Sequence, residues 1–338
     1  MVFDHLFISF LPYFCILSLA TVSIILSERV GIVNLGVNGM IVVGATAYMV
    51  FAHAFSNNGT QVLNGWIQIP LFILSGLFGL IYSLLHGLVC IKLKANQIIS
   101  GIALNTLAPA ITVTILFIFG TANKLPYTVE ELAVGNAANY EWTNLISLKV
   151  FVSIAIVAFF AVVLAFTKWG LRLKSIGENP QAADVAGINV NRMKWIVTMI
   201  SGFIAGIAGA IYISSLSSGN QFNGSVEGLG FLAIAIMIVG RWKIVSSTIA
   251  VIVFSILFSI GLEFRYIFPN EKESLTSIIK MIPYLIALLI LMIFSKPVFQ
   301  WLAQKFHKKE KISKVFINLS QEASGPKATG EPYDKSKR

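Results

Sequence analysis

Asn34 and Asn38 stand four residues apart in V-G-I-V-N-L-G-V-N-G-M, residues 30–40, a spacing that predicts both amides on one face of a helix. Gly31, Gly36, Gly39 and Gly44 interleave them. A membrane helix so rich in glycine is either packed backbone to backbone or interrupted, and an interruption is tolerated only against protein or a water-filled cavity. Asn105 in G-I-A-L-N-T-L-A, with Asn220, Gln221 and Asn223, adds further neutral donors and acceptors. An amide donates and accepts without carrying charge, which suits a route for an uncharged, hydroxyl-bearing solute. The same chemistry serves equally to join helices.

A second set of residues lies at 176–190, I-G-E-N-P-Q-A-A-D-V-A-G-I-N-V. Asn179 is a good N-cap and Pro180 fits the first helical position. Gln181 to Ala186 favour helix, and Gly187 suits the left-handed residue that closes one. About seven helical residues span roughly 10 Å. So short a helix is marginal alone in water, so its clean start and stop signals point to something that packs against it. The alternative is an ordinary interfacial helix.

Other chemistry is missing. The chain has no G-x-x-x-x-G-K-[ST] phosphate loop, no H-E-x-x-H, no G-x-S-x-G and no Cys/His cluster, so neither catalysis nor a metal or other cofactor is expected. His86, inside a long apolar run, reads as a packed core residue. Cys15 and Cys90 read as core without disulfide or metal spacing. Glu28, Arg29 and Glu227 lie near segment ends, and no buried charge relay of the kind that ion-coupled carriers use is visible.

The elements that position these residues are apolar. At 56% hydrophobic and 12% charged residues, with mean hydropathy +0.80, the 338-residue chain has more apolar surface than one soluble core could bury. Runs at 6–26, 69–91, 97–120, 148–167 and 195–213 are long enough to cross about 30 Å of hydrocarbon, and shorter ones lie at 35–51, 229–239, 245–262 and 279–294. The runs are continuous, not alternating, which excludes a barrel. The expected fold is an all-α polytopic membrane protein of about nine transmembrane helices. Ten are reached if one glycine-rich piece is broken into halves.

Lysine and arginine collect at Lys92 and Lys94, at Lys168, Arg172, Lys174, Arg192 and Lys194, at Arg241 and Lys243, and after Lys296. These connections are expected in the cytoplasm, and the neutral or acidic ones at 54–65, 121–144 and 214–225 outside. Nine spans place the N-terminus outside; ten place it inside. No small-residue cleavage site follows the first span, which is expected to stay as an anchor. Residues 1–296 form the membrane domain, with a cytoplasmic loop at 169–194. Residues 297–338 are expected to be a basic cytoplasmic tail, solvated or partly disordered. The net charge of +10 follows this pattern and calls for no nucleic acid.

Five motifs carry a resemblance: S-E-R-V-G-I-V-N-L-G-V-N-G-M-I-V-V-G-A at 27–45, I-S-G-I-A-L-N-T-L-A at 99–108, the segment 176–190, S-G-F-I-A-G-I-A-G-A at 201–210, and G-L-G-F-L-A-I-A-I-M-I-V-G-R at 228–241. In combination and order they resemble the permease subunits of ABC importers for branched-chain amino acids, ribose and nucleosides, over roughly residues 6–294. The run S-E-R-x-G-x-x-N-L-G-x-x-G is most similar to the nucleoside branch served by basic membrane lipoproteins. The turn at Arg241 to Ile244 lacks the proline common there.

The resemblance implies a type II-like ABC permease fold in the bacterial plasma membrane. It implies a separate ABC ATPase, a second permease, which completes the channel, and an extracellular substrate-binding lipoprotein. Asn179 to Gly187 would be the coupling helix seated in the ATPase, with Pro180 starting it. Ala182, Ala183 and Ala186 would allow close seating, and Glu178 and Asp184 could meet basic residues. Asn34, Gly36, Asn38, Gly39 and Asn105 would line the translocation pathway. Ribose or branched-chain amino acids remain open as solutes, and so does a carrier or channel working alone.

Overall fold

The computed structural model describes residues 2–56, 63–119, 129, 132, 146–215, 222–267, 273–293, 298 and 325–334. Its helices are α1 (Val2–Arg29), α2 (Val37–Phe55), α3 (Gln68–Gly87), α4 (Gln97–Ile118), α5 (Leu148–Phe166), α6 (Lys168–Glu178), α7 (Pro180–Val185), α8 (Val190–Ser214), α9 (Leu229–Val239), α10 (Ile244–Ile267) and α11 (Glu273–Ile293). A π-helical turn, Leu88–Lys92, prolongs α3. Among the described residues seven helices are long and apolar enough to cross a membrane, and α9 and part of α11 are shorter apolar ones. Among the described residues each of the nine expected runs falls largely on helix, in an all-α polytopic fold, with Leu35 and Gly36 preceding α2.

The bundle is built around α8. Its glycines, expected from S-G-F-I-A-G-I-A-G-A, allow backbones to touch where side chains would hold them apart. A Cβ added at Gly206 would lie 2.9 Å from Gly76 Cα on α3, and one at Gly209 would lie 2.6 Å from the Ala45 nitrogen on α2. Ser23 on α1 joins the same hub, its hydroxyl 2.9 Å from the Ser201 carbonyl. By contrast α4 and α5 keep large apolar side chains on the outside, including Phe117, Phe151, Phe159 and Phe166, as helices bordering lipid do.

Two expectations change. Asn34 and Asn38 do not share a helical face, because residues 30–36 are not helical and α2 begins only at Val37. The cause is the end of α1. Gly31 takes φ +81°, the Ile32 N–H reaches the Ser27 carbonyl at 3.0 Å, and the Gly31 N–H reaches that of Glu28 at 2.9 Å. This pair of bonds terminates a helix in the left-handed manner that glycine permits. The glycine-rich stretch is therefore interrupted, and its later glycines pack against backbone.

The tail also departs from the solvated expectation. Residues 325–334 pack on the bundle, with Ala328 and Tyr333 buried. Residues 299–324, Asn220 and Gln221 lie outside the described residues, and Asn223 is exposed.

Candidate functional site

Two structures face each other at the basic end of the bundle: the break between α1 and α2, and the hairpin formed by α6 and α7.

A buried irregular backbone must find partners for its N–H and C=O groups within the protein. Side chains from α3 and α4 supply them. Gln97 Oε1 accepts the Val33 N–H at 2.7 Å. His86 Nε2 lies 3.1 Å from the Val33 carbonyl, and Nδ1 lies 3.0 Å from the Ser100 hydroxyl. A carbonyl can only accept, so Nε2 carries the proton and Nδ1 accepts from Ser100. His86 is thus a brace for the break. Asn105 serves two groups at once: its Nδ2 donates to the Leu35 carbonyl and its Oδ1 accepts the Gly39 N–H, each at 2.7 Å. That N–H is one of the first-turn donors of α2 that have no partner within the helix. Asn105 therefore caps α2 from a neighbouring helix.

Asn38 reaches across to α9, its Oδ1 accepting the Gly230 N–H at 3.2 Å. Asn34 is buried and donates through Nδ2 to Ser201 at 3.1 Å and to Ser27 at 3.4 Å. Its Oδ1 has no hydrogen-bond partner among the described residues. Gly36 and Gly39 let α4 approach: an added Cβ at Gly39 would sit 2.9 Å from the Leu104 carbonyl oxygen. All five residues expected on a pathway come together here, and in this conformation they act as joints.

The α6–α7 hairpin forms for local reasons. Asn179 Oδ1 accepts from Gln181 N at 3.1 Å and Ala182 N at 3.0 Å, and Pro180 opens the helix. Gly187, at φ +83°, closes it; its N–H reaches the Asp184 carbonyl at 2.9 Å while the Ile188 N–H reaches that of Ala183 at 3.0 Å. The helix is one residue shorter than seven, and Ala186 falls at its C-cap. Ala183 is buried against its own chain and turns away from any partner. Ala182, Ala186 and Glu178 are exposed, Asp184 is half-buried, and Val185 is 77% exposed. Val185 is exposed where only alanines were expected, as it must be once Ala183 is buried, since one helical face cannot hold both.

A third feature ties the turn between α9 and α10 to the end of α1. Trp242, in the turn between α9 and α10, donates its indole N–H to Glu28 Oε2 at 2.5 Å, and its carbonyl accepts from Arg29 Nε at 3.1 Å and Nη2 at 2.7 Å. Arg241 and Trp242 both adopt positive φ, 54° and 56°, a strained pair for residues with side chains. The S-E-R motif at 27–29 thus clamps the turn whose missing proline was its one departure. Lys174 on α6 has its pKa lowered, first by burial and then by the nearby Arg29 charge.

The family described as "Branched-chain amino acid transport system / permease component" matches residues 6–293. The nucleoside ABC transporter permease protein NupC of Lactococcus lactis is 34% identical, over 80% of this chain and 86% of the relative. The guanosine ABC transporter permease protein NupQ of Bacillus subtilis is 28% identical, over 97% of this chain and 96% of the relative. The uncharacterized protein MG121 of Mycoplasma genitalium is 34% identical over 95% of each chain. No solved structure matches significantly. The chain is a multi-pass membrane transport subunit and belongs to the branched-chain amino acid transport system permease family.

Proposed function

We propose that the chain is the membrane-spanning subunit of an ATP-driven importer of nucleosides. The basic end then faces the cytoplasm, with the C-terminus on that side and, at nine spans, the N-terminus outside. ATP is hydrolysed on a separate ATPase, a second permease completes the channel, and an extracellular lipoprotein delivers the solute. The observation that carries the reading is α7: a six-residue helix capped at both ends, held between α6 and the central α8, with Val185, Ala182 and Ala186 exposed. That surface suits a groove on a partner, with Glu178 and Asp184 available to its basic residues. The names of NupC and NupQ support a nucleoside solute over ribose or a branched-chain amino acid.

The mechanism follows from what α7 is attached to. Asn189 caps α8 by accepting the Arg192 N–H at 3.0 Å, and Gly177 at the end of α6 lies against the Arg29 carbonyl. Movement of α7 by closing ATPase domains therefore pushes on α8 and on the α1–α2 break together, which is how a rigid-body switch between two access states is driven. Pull-down of the tagged chain from its native membrane in mild detergent tests this. An ATPase and a second multi-span permease should copurify. A folded, monodisperse chain that always purifies alone would overturn the proposal in favour of a carrier acting by itself.

A further inference from the structure

Residues 325–334, Gly-Pro-Lys-Ala-Thr-Gly-Glu-Pro-Tyr-Asp, cross the basic end of the bundle and touch four separate connections. Gly325 lies under the Trp242 ring, where an added Cβ would be 2.6 Å from Cζ2. The Ala328 N–H donates to the Gly177 carbonyl at 2.9 Å, at the end of α6. The Gly330 N–H donates to the Gly31 carbonyl at 3.3 Å, in the break. Asp334 pairs with Lys94, in the connection between α3 and α4, at 2.9 Å. The segment also has its own shape. Two turns, Thr329 N–H to the Pro326 carbonyl at 3.1 Å and Glu331 N–H to that of Ala328 at 3.3 Å, fold it, and Gly330 adopts φ +85°.

We infer that residues 325–334 are a latch that holds the coupling hairpin against the α1–α2 break, and that it must let go before the basic end of the bundle can open. The hydrogen bonds to Gly177 and Gly31 run from one short segment to two elements that separate in any such opening. Burial of Pro326, Ala328 and Tyr333 carries the hold. The ion pair adds little, because its side chains are 42% and 29% exposed and water screens them. The latch does not block a partner. It grips the base of the hairpin at Gly177, while a polar cleft of about 270 Å³, lined by Glu178, Gln181, Lys327, Glu331 and Tyr333, separates it from α7, whose Val185 stays exposed. A docked ATPase and a closed latch can therefore coexist, and the latch resists the stroke that follows docking.

The inference uses the importer reading for one readout and needs nothing from it for the other. In the full chain in nanodiscs, with Cys15→Ala, the native Cys90, buried beside the His86 that braces the break, reports opening by its rate of maleimide labelling. Deleting 325–338 should speed labelling by at least about tenfold, since losing two net hydrogen bonds alone gives that order and the lost burial adds to it. The Gly330→Val/Tyr333→Ala chain should do the same, and it covers the case in which the deletion fails to fold. Equal labelling rates in folded latch-free and parent chains would overturn the latch. In the assembled transporter, the latch-free chain should hydrolyse ATP faster without solute and move less solute per ATP. Failure of any ATPase to copurify with the parent chain would count against the importer reading and leave the labelling result to decide the latch.

Discussion

Asn105→Leu tests whether the break is held by side chains from α4. The change removes two hydrogen bonds of 2.7 Å and leaves the Leu35 C=O and Gly39 N–H without them. Two limits bracket the cost. Polar ties between membrane helices average ~0.6 kcal/mol each, which gives a little over 1 kcal/mol, because the unfolded chain in a membrane also finds partners. Leaving a buried backbone group unpaired costs about 1–3 kcal/mol apiece, which sums to roughly 2–6 kcal/mol. The second limit should dominate, because Gly39 is buried tightly against the Leu104 carbonyl and neither water nor another side chain can replace the amide without moving α4. A loss of about 3 kcal/mol corresponds to a fall in Tm of about 5 °C for a chain of this length. Thermal unfolding in detergent, followed by thiol labelling of the buried Cys90, measures it. Thr106→Leu, on the exposed face one residue further, is the control and should shift Tm by less than about 1 °C. An Asn105→Leu chain with the parent Tm would refute the claim that α4 supplies the missing partners of the break.

Gly206→Leu should insert in the membrane but fail to give a monodisperse peak on size exclusion, since its side chain meets α3 backbone that cannot repack and costs about 3 kcal/mol or more. Trp242→Phe should lower Tm by several degrees, because it strips a donor from the buried Glu28 at about 1–3 kcal/mol, whereas Glu28→Gln keeps an acceptor for the indole and should lower it less. Gly187→Val puts a β-branched residue at φ +83°, about 1–3 kcal/mol of strain in open space; uptake should fall while ATP hydrolysis continues, and Gly187→Asn should restore part of it. Unchanged uptake in Gly187→Val would sink the role of α7. Asn34→Ala gives up bonds of 3.1 and 3.4 Å but also an Oδ1 without a partner, so Tm should hold within about 2 °C while uptake falls; parent-level uptake would make Asn34 a joint only.

What could be read from the chain in advance was whatever local rules decide. Asn179, Pro180 and Gly187 behave as their types dictate because a cap depends on residues within one turn. The apolar runs became helices because hydrocarbon leaves the backbone no other choice. The shared face of Asn34 and Asn38 failed at Gly31, whose left-handed φ ends α1 before either amide. What local rules could not show is that His86, Gln97 and Asn105 satisfy the open backbone beyond it, because their positions depend on how α3 and α4 pack. The tail misled in the same way. Its glycines and prolines suggest solvation, yet they are the residues that two tight turns require, and the carbonyls they meet, at Gly177 and Gly31, stand about 150 and 300 positions earlier.

The amides pose a question of allocation. Asn105 commits both ends of its side chain to backbone, and Asn38 commits its oxygen to Gly230. A group cannot hold the break closed and offer the same bond to a passing solute. If these residues line the route, they do so only after α1, α4 and α8 have shifted, and the backbone groups they now serve must then be met by water or by the solute itself. Asn34 is where that exchange would cost least, because its Oδ1 has no partner among the described residues to surrender and one of its two Nδ2 hydroxyl bonds is long at 3.4 Å. It is also bonded to Ser201 on α8, the helix that α7 leads into. On the proposed mechanism, movement of α7 would reach Asn34 through α8 and Ser201, so the amide with the least to lose would be the one tied to the drive.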